Sequence, residues 1–298
     1  MVFGLAQVSA ILAAASWAMA GVLGKRGMEN KGSTLFLVTA SAGVGSILFS
    51  FAMFVQSEFN IFNTISTTSV IVFFLSGVIG TAIGRFFFYN GIDRIGTTIS
   101  ESCGSTHPIF ASFIAFILLG EPLILIEIIG ILIIIVGVVM ISYSNGGDKS
   151  GWNTWEILIP LLGAASFGTA AALRRYGFVM TNTTPVEGTA FSAIGGFLGL
   201  SIYILTNKKL HIFNSSTEAY GDFALSAVLM PLGLLFSMIA FSLDRVAVVS
   251  PLLATVPLFS VVFSYLLIRK LEKITLWLIS SIIIISFGVL IVSIGGDL

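Results

Sequence analysis

Three ionisable side chains stand inside long apolar stretches of this sequence: Arg85, Glu101 and His107. A charge at the centre of a lipid bilayer costs roughly 2.5–3.5 kcal/mol on insertion scales, so such residues are functional candidates by default. Arg85 could bind a ligand carboxylate, and Glu101 could exchange a proton. Each lies eight residues from Asp93, so an antiparallel hairpin would set them at one depth, where an ion pair lowers both burial costs. A structural clamp, or an Arg85 that snorkels to its helix end, is the alternative.

The stretch from Thr97 to Pro108 is too polar for a helix that faces lipid. Glu101, Ser105 and Pro108 have the i, i+4, i+7 spacing of one helical face, and we predict that this face lines a central cavity. His107 falls on another face and precedes Pro108, whose missing amide frees a carbonyl group and can kink the helix. His107 is therefore interpreted as a neutral histidine bonded to a neighbouring helix, with a proton relay as the alternative.

Two prolines mark the opposite wall of the same predicted cavity. Pro251 and Pro257 flank Thr255 in a later apolar stretch. Prolines inside a span indicate irregular backbone, whose freed carbonyl groups serve as ligands or hinges. Aromatic and amide side chains elsewhere are weaker candidates, because interfacial anchoring is the commoner role of membrane aromatics. These weaker candidates are Tyr89, Asn90 and Trp17.

Membrane-crossing helices must position these residues. Hydrophobic residues make up 56% of the 298 residues and charged residues only 9%, against roughly a quarter charged in soluble domains. Apolar stretches of about twenty residues, the length that crosses a hydrocarbon core, alternate with short polar breaks. We predict an all-α membrane protein with ten transmembrane helices near Val2–Gly24, Thr34–Val55, Ser69–Asn90, Thr97–Leu119, Leu123–Tyr143, Trp155–Leu173, Val186–Leu205, Phe223–Leu243, Val246–Ile268 and Ile274–Ile294.

The sequence also repeats itself internally. Charged and glycine positions recur 151 residues apart, as Asp93-Arg94 with Asp244-Arg245, Glu121 with Glu272, and Gly137 with Gly288. The repeat predicts two five-helix halves, residues 1–146 and 151–298. Because five is odd, the halves must enter the membrane in opposite directions, an architecture that secondary transporters use for alternating access.

Motifs in the first half resemble a known family. A proline, a leucine-glycine-glutamate turn and trailing glycines follow in order as Pro108-Ile109-Phe110, Leu118-Leu119-Gly120-Glu121, Gly130 and Gly137-Val138. This order resembles EamA-type members of the drug/metabolite transporter superfamily. The second half is similar but weaker, with Pro251, Pro257, Glu272 and Gly288, and with Arg269-Lys270-Leu271 where leucine-glycine would be expected. The resemblance implies two inverted five-helix repeats around a central cavity and transport of small metabolites, often export of amino acids or related compounds.

Function classes can be compared on these grounds. The absence of nucleotide-binding motifs favours a secondary carrier over an ATP-driven pump. An integral membrane enzyme acting on a lipid or other small substrate is the alternative, but the sequence holds no catalytic constellation, and we expect no catalytic residue, metal or cofactor. The expected partners are a small-molecule solute and the lipid bilayer of a prokaryotic cell membrane, with proton coupling through Glu101 as a hypothesis. A net charge of zero gives no support to nucleic-acid binding. Substrate, direction, coupling ion and oligomeric state are left open.

Orientation is predicted in two ways that disagree. Basic residues number ten in the odd-numbered connections and three in the even-numbered ones, where they are Arg174, Arg175 and Arg245. The positive-inside rule then places both termini outside the cell. The family resemblance implies cytoplasmic termini instead.

Two further patterns are interpreted as structural. Gly77, Gly80 and Gly84 have the small-xxx-small spacing of close helix packing, as do Gly195-Gly196 and Gly199. Glu121 and Glu272 occupy turns between helices, where capping of the next helix is favoured over coupling between the halves.

Overall fold

A computed structural model describes residues 4–29, 33–56, 66–145, 153–208, 217–267 and 276–296. These residues form ten helical spans without a strand. Eight are long and apolar enough to cross a membrane by the usual criteria, and the other two contain shorter apolar helices. In order, the spans are Leu5–Glu29, Thr34–Gln56, Thr67–Ile95, Thr97–Gly104 with His107–Leu119, Leu125–Asn145, Thr154–Met180, Pro185–Thr206, Thr217–Leu243, Val246–Leu253 with Val256–Leu267, and Leu276–Gly296. The chain is an all-helical multi-pass membrane protein, as predicted.

The third and sixth spans extend beyond their predicted ends. The third continues to Ile95 and stops at Gly96, whose φ of 95° is readily adopted only by glycine. The turn therefore lies at Gly96 and not at Asp93. Counted from Gly96, Arg85 lies about 9 Å deeper than Glu101 at 1.5 Å per residue. The prediction that these two residues share one depth is wrong.

The sixth span runs to Met180 and takes Arg174 and Arg175 into the helix. Both had been assigned to a connection because charged residues usually punctuate spans. Their inclusion leaves Arg245 as the basic residue counted in the even-numbered connections. The charge bias behind the orientation prediction becomes stronger, and the orientation itself stays a prediction.

The fourth and ninth spans are each broken by the same local motif. In the fourth, Thr106 donates to the carbonyl of Cys103 from both its amide (3.1 Å) and its hydroxyl (2.6 Å). In the ninth, Thr255 donates to Leu252 in the same two ways, at 3.2 and 2.6 Å. A proline follows two residues after each threonine and removes an amide from the ladder. The irregular backbone predicted at these prolines is therefore present in both spans.

This break separates residues that were predicted to share a helical face. Glu101 belongs to the helix that ends at Gly104, whereas Pro108 belongs to the one that begins at His107. Ser105 lies between the two helices. Because i, i+4, i+7 spacing defines one face only along a continuous helix, the spacing alone does not place Glu101, Ser105 and Pro108 on one face. Their common face stays a prediction.

The fifth and tenth spans pack against each other through glycines, and the contacts made by Gly137 of the fifth span match those made by Gly288 of the tenth. A Cβ on Gly137 would lie 3.2 Å from the Ser281 oxygen and 3.2 Å from the Ile285 nitrogen. One on Gly288 would lie 3.1 Å from the Gly130 oxygen and 3.0 Å from the Ile134 nitrogen. The partners Ser281 and Gly130, and Ile285 and Ile134, are again separated by 151 positions. The offset of 151 residues found in the sequence is thus also the offset between equivalent contacts of the fifth and tenth spans.

Pairs of spans from opposite halves show the same correspondence. The Trp17 ring of the first span packs on Gly233 of the eighth, and the Phe167 ring of the sixth packs on Gly84 of the third. The fold is therefore two inverted five-helix repeats whose equivalent spans pack alike. Residues 146–152, where the halves join, lie outside the described residues, and the boundaries 1–146 and 151–298 stay a prediction.

The third and seventh spans approach closely along their glycines. Gly77 faces the backbone of Ser192, Gly195 faces the carbonyl of Phe74, and Gly199 faces the Ala82 side chain. A side chain at Gly77 or Gly195 would overlap backbone atoms, which cannot move as a side-chain tip can. The interpretation of these glycines as packing positions is confirmed.

We expect Gly77→Ala to lower the thermal unfolding temperature of the purified protein in detergent by several degrees. Overpacking costs typically 1–3 kcal/mol, and a backbone clash lies at the upper end of that range. Gly21→Ala is the matched control, because no heavy atom lies within 4 Å of its added Cβ; its unfolding temperature should stay the same or rise slightly, since alanine favours helix. Equal behaviour of the two variants would contradict the packing argument.

Candidate functional site

Two arginines lie near the middle of the bundle, on facing spans. Arg85 directly follows a π-helical segment of the third span, Val78–Gly84, and its Nη1 lies 3.8 Å from the Sδ of Met230 in the eighth span. Arg174 of the sixth span is 9% exposed. Its Nη2 occupies the space beside Gly80, 3.5 Å from where a Cβ would stand. π-helical segments are frequent at functional sites. This one contains Gly80, beside which the Arg174 guanidinium lies, and it ends directly before Arg85.

Helix geometry gives the depth of these groups. Gly80 and Gly84 lie about 20 and 26 Å from the start of a third span that is about 43 Å long, at 1.5 Å per residue. The Arg174 guanidinium lies beside Gly80, and the Arg85 side chain leans back towards the start of its own helix. Both charges therefore lie near the midplane.

Pairing distinguishes these two arginines from the others that the structure describes. The described arginines nearer the membrane faces each have a carboxylate partner: Arg26 with Asp222 (3.5 Å), Arg94 with Glu156 (3.1 Å), Arg175 with Glu121 (2.9 Å) and Arg245 with Glu127 (2.7 Å). Within the described part of the chain, Arg85 and Arg174 form no ion pair, and the Nε of Arg174 has no hydrogen-bond partner. The two cations also repel each other. Among the described side chains, none therefore compensates the positive charge of these two arginines.

Trp17 lies beside this centre. Its indole Nε1 donates to the carbonyl of Met230 at 3.1 Å, and its ring covers Gly233. Residue 17 is the midpoint of a helix that spans Leu5–Glu29. Interfacial anchoring, the commoner role weighed for this aromatic, is therefore wrong for Trp17. Trp17 and Arg85 meet at the same residue, Met230.

The other two weaker candidates lie further along the third span, at Tyr89 and Asn90. Tyr89 packs against a cluster formed by Val38, Ala82 and Leu200, between the second, third and seventh spans. Asn90 donates its amide to the carbonyl of Phe86, a residue with an exposed side chain. Asn90 is therefore bonded within its own span, whereas Tyr89 lies one helical turn beyond Arg85 and its place in the cavity stays a prediction.

Candidates in the fourth span are bonded within that span. Ser105 is buried, and its hydroxyl donates to the carbonyl of Ser102 at 2.7 Å. The Nδ1 of His107 lies 3.2 Å from the carbonyl oxygen of Gly104. Gly104 stands four residues before Pro108 and is the carbonyl that the proline leaves without a helical donor. The His107 bond is thus made within its own span and not to a neighbouring helix. The Glu101 side chain lies outside the described residues, and its role stays a prediction.

The ninth-span candidates surround the second break. Pro251 and Thr255 are buried, and Pro257 lies in the first turn of the following helix. The Thr255 hydroxyl bonds the carbonyl of Leu252. The carbonyls of Leu252 and Cys103 thus accept the threonine hydrogen bonds, whereas the carbonyls that Pro257 and Pro108 leave without a helical donor are those of Leu253 and Gly104.

Arg174 is the site residue that sequence reasoning missed. It was assigned to a connection because its neighbour Arg175 made the pair look like loop punctuation. The repeat contained the signal that could have found it. Trp17 and Phe167, which occupy equivalent places in the first and sixth spans, are 150 residues apart. The same offset sets Arg174 opposite Gly24, the last residue of the first predicted span.

Charged groups at one membrane face connect the two halves. Glu121, in the turn after the fourth span, pairs with Arg175 through Oε1 and accepts the amide of Val246 through Oε2 at 2.8 Å. Val246 begins the ninth span. Glu121 therefore caps a helix of the other half, and the prediction that it caps the next helix is wrong. Glu272 lies outside the described residues.

A second pair strengthens the same connection. Arg245 binds Glu127, which is fully buried, and donates to the carbonyl of Pro122 at 3.2 Å. Arg175 also donates to the carbonyl of Phe241 at 2.9 Å. We call Glu121, Glu127, Arg175 and Arg245 the inter-half latch.

The described ion pairs at the opposite membrane face are more exposed. The Arg26 and Arg94 side chains are 59% and 55% exposed, against 16% for Arg175 and 21% for Arg245 in the latch. Exposed pairs contribute little, typically 0–1 kcal/mol. The described ion pairs therefore hold the halves together chiefly at the latch face.

Comparisons with known proteins agree with this architecture. Residues 4–143 match the model of the EamA-like transporter family. An uncharacterized transporter of Archaeoglobus fulgidus is 24% identical over 286 residues, which cover 94% of this chain and 95% of the relative. A protein of known crystal structure superimposes with a TM-score of 0.75 at 14% identity, over 98% of this chain and 97% of the other, and supports the fold alone.

Proposed function

We propose that this EamA-type transporter of the drug/metabolite transporter superfamily is a secondary carrier for a small organic solute with a carboxylate group, and that Arg85 and Arg174 bind that group. The observation that carries the proposal is the pair of arginines near the midplane without a carboxylate partner in the described part of the chain. Arginine presents a planar fork of donors that matches a carboxylate. Amino acids and related compounds, exported from the cell, are the first candidates.

In an alternating-access cycle, the latch, the two arginines and the two helix breaks would each act in one step. With the latch closed, the halves meet at one face, and a solute reaches the arginines from the other. Charge neutralisation by the solute removes the cost of holding two cations in a low dielectric. The halves then rock, the breaks at Thr106 and Thr255 absorb the bend, and the latch opens. Interfaces between inverted repeats commonly move in this way around a fixed midplane site.

Proton coupling through Glu101 is part of the proposal. Its support is the position of Glu101 in the helix Thr97–Gly104, inside a membrane span. We expect Glu101→Gln to abolish the dependence of flux on a pH gradient while solute binding persists, because glutamine cannot exchange a proton. The measurement is flux into proteoliposomes at several imposed pH gradients. An unchanged pH dependence would remove Glu101 from the coupling mechanism.

The experiment that tests the proposed function is uptake by proteoliposomes that contain the purified protein. Labelled amino acids, dipeptides, purines, sugars and polyamines are tested singly, without ATP, under imposed ion and pH gradients. We expect saturable uptake of a carboxylate solute. Uptake of polyamines alone would contradict a carboxylate site, and no uptake by protein of verified fold would contradict the carrier.

A further inference from the structure

We infer that Arg174 makes the central site a receptor for an organic dianion, a solute with two negative charges such as a dicarboxylate or a phosphate monoester. The inference rests on the proposed function, a secondary carrier with Arg85 and Arg174 at its binding site. It replaces the single carboxylate group named there by two negative charges, and it favours solutes with two such charges over the neutral amino acids given as first candidates. Arg174 is nine-tenths buried, and its Nε lacks a partner among the described residues. A buried guanidinium remains charged, so this site contains two fixed positive charges.

The acidic residues nearby do not provide the balancing charge. The carboxylates whose side chains the structure describes lie towards the ends of their spans, at one membrane face or the other, as Asp93, Glu121, Glu127, Glu156, Glu187, Asp222 and Asp244. Glu101, the acidic residue predicted inside a span, stands about 9 Å shallower along its helix than Arg85, by the rise per residue. The anion that neutralises the centre is therefore expected to arrive with the solute.

Charge counting then separates the solute classes. A single carboxylate would leave one of the two guanidinium groups uncompensated in a low dielectric. A zwitterionic amino acid would bring an ammonium group towards two cations that already repel each other. A solute with two anionic groups, or with one phosphate that carries nearly two charges, satisfies both arginines at once.

The space beside Gly80 explains how Arg174 reaches the centre. Its Nη2 lies 3.5 Å from the position of a Cβ on Gly80, an ordinary van der Waals contact, so a side chain that extends beyond Cβ at this position would crowd the guanidinium. The adjoining π-helical segment, Val78–Gly84, widens the third span at this level. The Arg174 head group is thereby held at the level of Arg85.

The test compares four probes: succinate and glycerol 3-phosphate as dianions, propionate as a monoanion and alanine as a zwitterion. Each is titrated against the thermal unfolding of the purified full chain and as a competitor of flux in proteoliposomes. We expect at least one dianion to stabilise the protein and to compete with flux at concentrations about tenfold or more below those needed for propionate and alanine. Preference for succinate indicates a dicarboxylate, and preference for glycerol 3-phosphate indicates a phosphate ester.

Variants of Arg174 complete the test. Arg174→Gln should weaken the binding of the preferred dianion by about 10–100-fold, the range of a charged hydrogen bond. It should weaken the binding of the monoanion much less. Arg174→Lys should restore part of the preference, and Arg26→Gln, which removes an exposed arginine, should change nothing. If Arg174→Gln does not fold, the order in which the wild-type protein binds the four probes still decides whether the site prefers a dianion.

Two negative results have different meanings. A transported solute with fewer than two negative charges, bound equally well by Arg174→Gln, overturns the dianion inference and leaves the carrier intact. No binding by these probes, together with no flux across the whole uptake panel, overturns the proposed function itself.

Discussion

Arg85→Gln is expected to reduce carboxylate transport by about 10–100-fold and, at the same time, to leave the empty protein as stable as before or more stable. The loss of transport follows from the loss of a charged hydrogen bond to the solute, about 1.5–3 kcal/mol. The stability change follows from the Arg85 environment, where the guanidinium contacts the Sδ of Met230 at 3.8 Å and forms no ion pair with a described residue. Removing an unpaired charge near the midplane relieves a cost of roughly 2.5–3.5 kcal/mol on insertion scales.

The opposite signs separate a binding role from a structural clamp. A clamp predicts that Arg85→Gln unfolds at a lower temperature, because breaking a buried pair destabilises by about 3–5 kcal/mol. Flux and thermal unfolding are measured on the same preparation. Arg94→Gln is the matched control, since Arg94 lies on the same span in an exposed pair with Glu156; it should transport normally. Normal transport by Arg85→Gln would remove Arg85 from the site.

Glu121→Gln is expected to open the latch face. It removes the ion pair with Arg175 and weakens the cap on the Val246 amide. These contacts join opposite halves, so their loss should shift the population towards the conformation in which that face is open, by about tenfold for each 1.4 kcal/mol. Arg175 is left partly buried without its carboxylate, which adds to the effect.

Thiol labelling measures this shift. Cys103 is the single cysteine of the sequence, so a Cys103→Ser background permits one engineered probe. Ser250→Cys is suitable, because Ser250 is fully buried and lies one turn beyond Val246. A membrane-impermeant maleimide should label it several-fold faster in Glu121→Gln. Glu156→Gln, which breaks an exposed pair at the other face, is the control. Equal labelling rates would show that the latch does not gate this face.

Hydropathy and the internal repeat were sufficient to predict most of the fold. Membrane helices need about twenty apolar residues and internal backbone hydrogen bonds, so the ten spans could be counted from composition. The offset of 151 between Gly137 and Gly288 predicted the inverted halves, and the contacts of Ile134 and Ile285 repeat it.

The same reasoning failed where a local pattern depended on a distant neighbour. Arg174 looked like part of a loop because charge usually ends a span, and only the space beside Gly80 shows how a helix accommodates it. Glu121 looked like a cap for the next helix, since its partner Val246 is distant in sequence and close only in the fold.

The polar run before Pro108 was interpreted only in part. The proline was correctly interpreted as a site of irregular backbone, yet the facing residues were counted as though the helix were continuous. Thr106 completes the break by bonding Cys103 twice. A threonine two residues before a proline, repeated at Thr255, is a signal in the sequence that could have located both breaks.

Counterflow is the most direct test of a carrier with a midplane binding site. Proteoliposomes are loaded with an excess of the unlabelled solute identified by uptake, all ion gradients are dissipated, and a trace of labelled solute is added outside. Alternating access predicts a transient accumulation of label above its equilibrium level in wild-type protein, and little or none with Arg85→Gln. Simple equilibration without an overshoot in the wild type would indicate a channel and contradict alternating access.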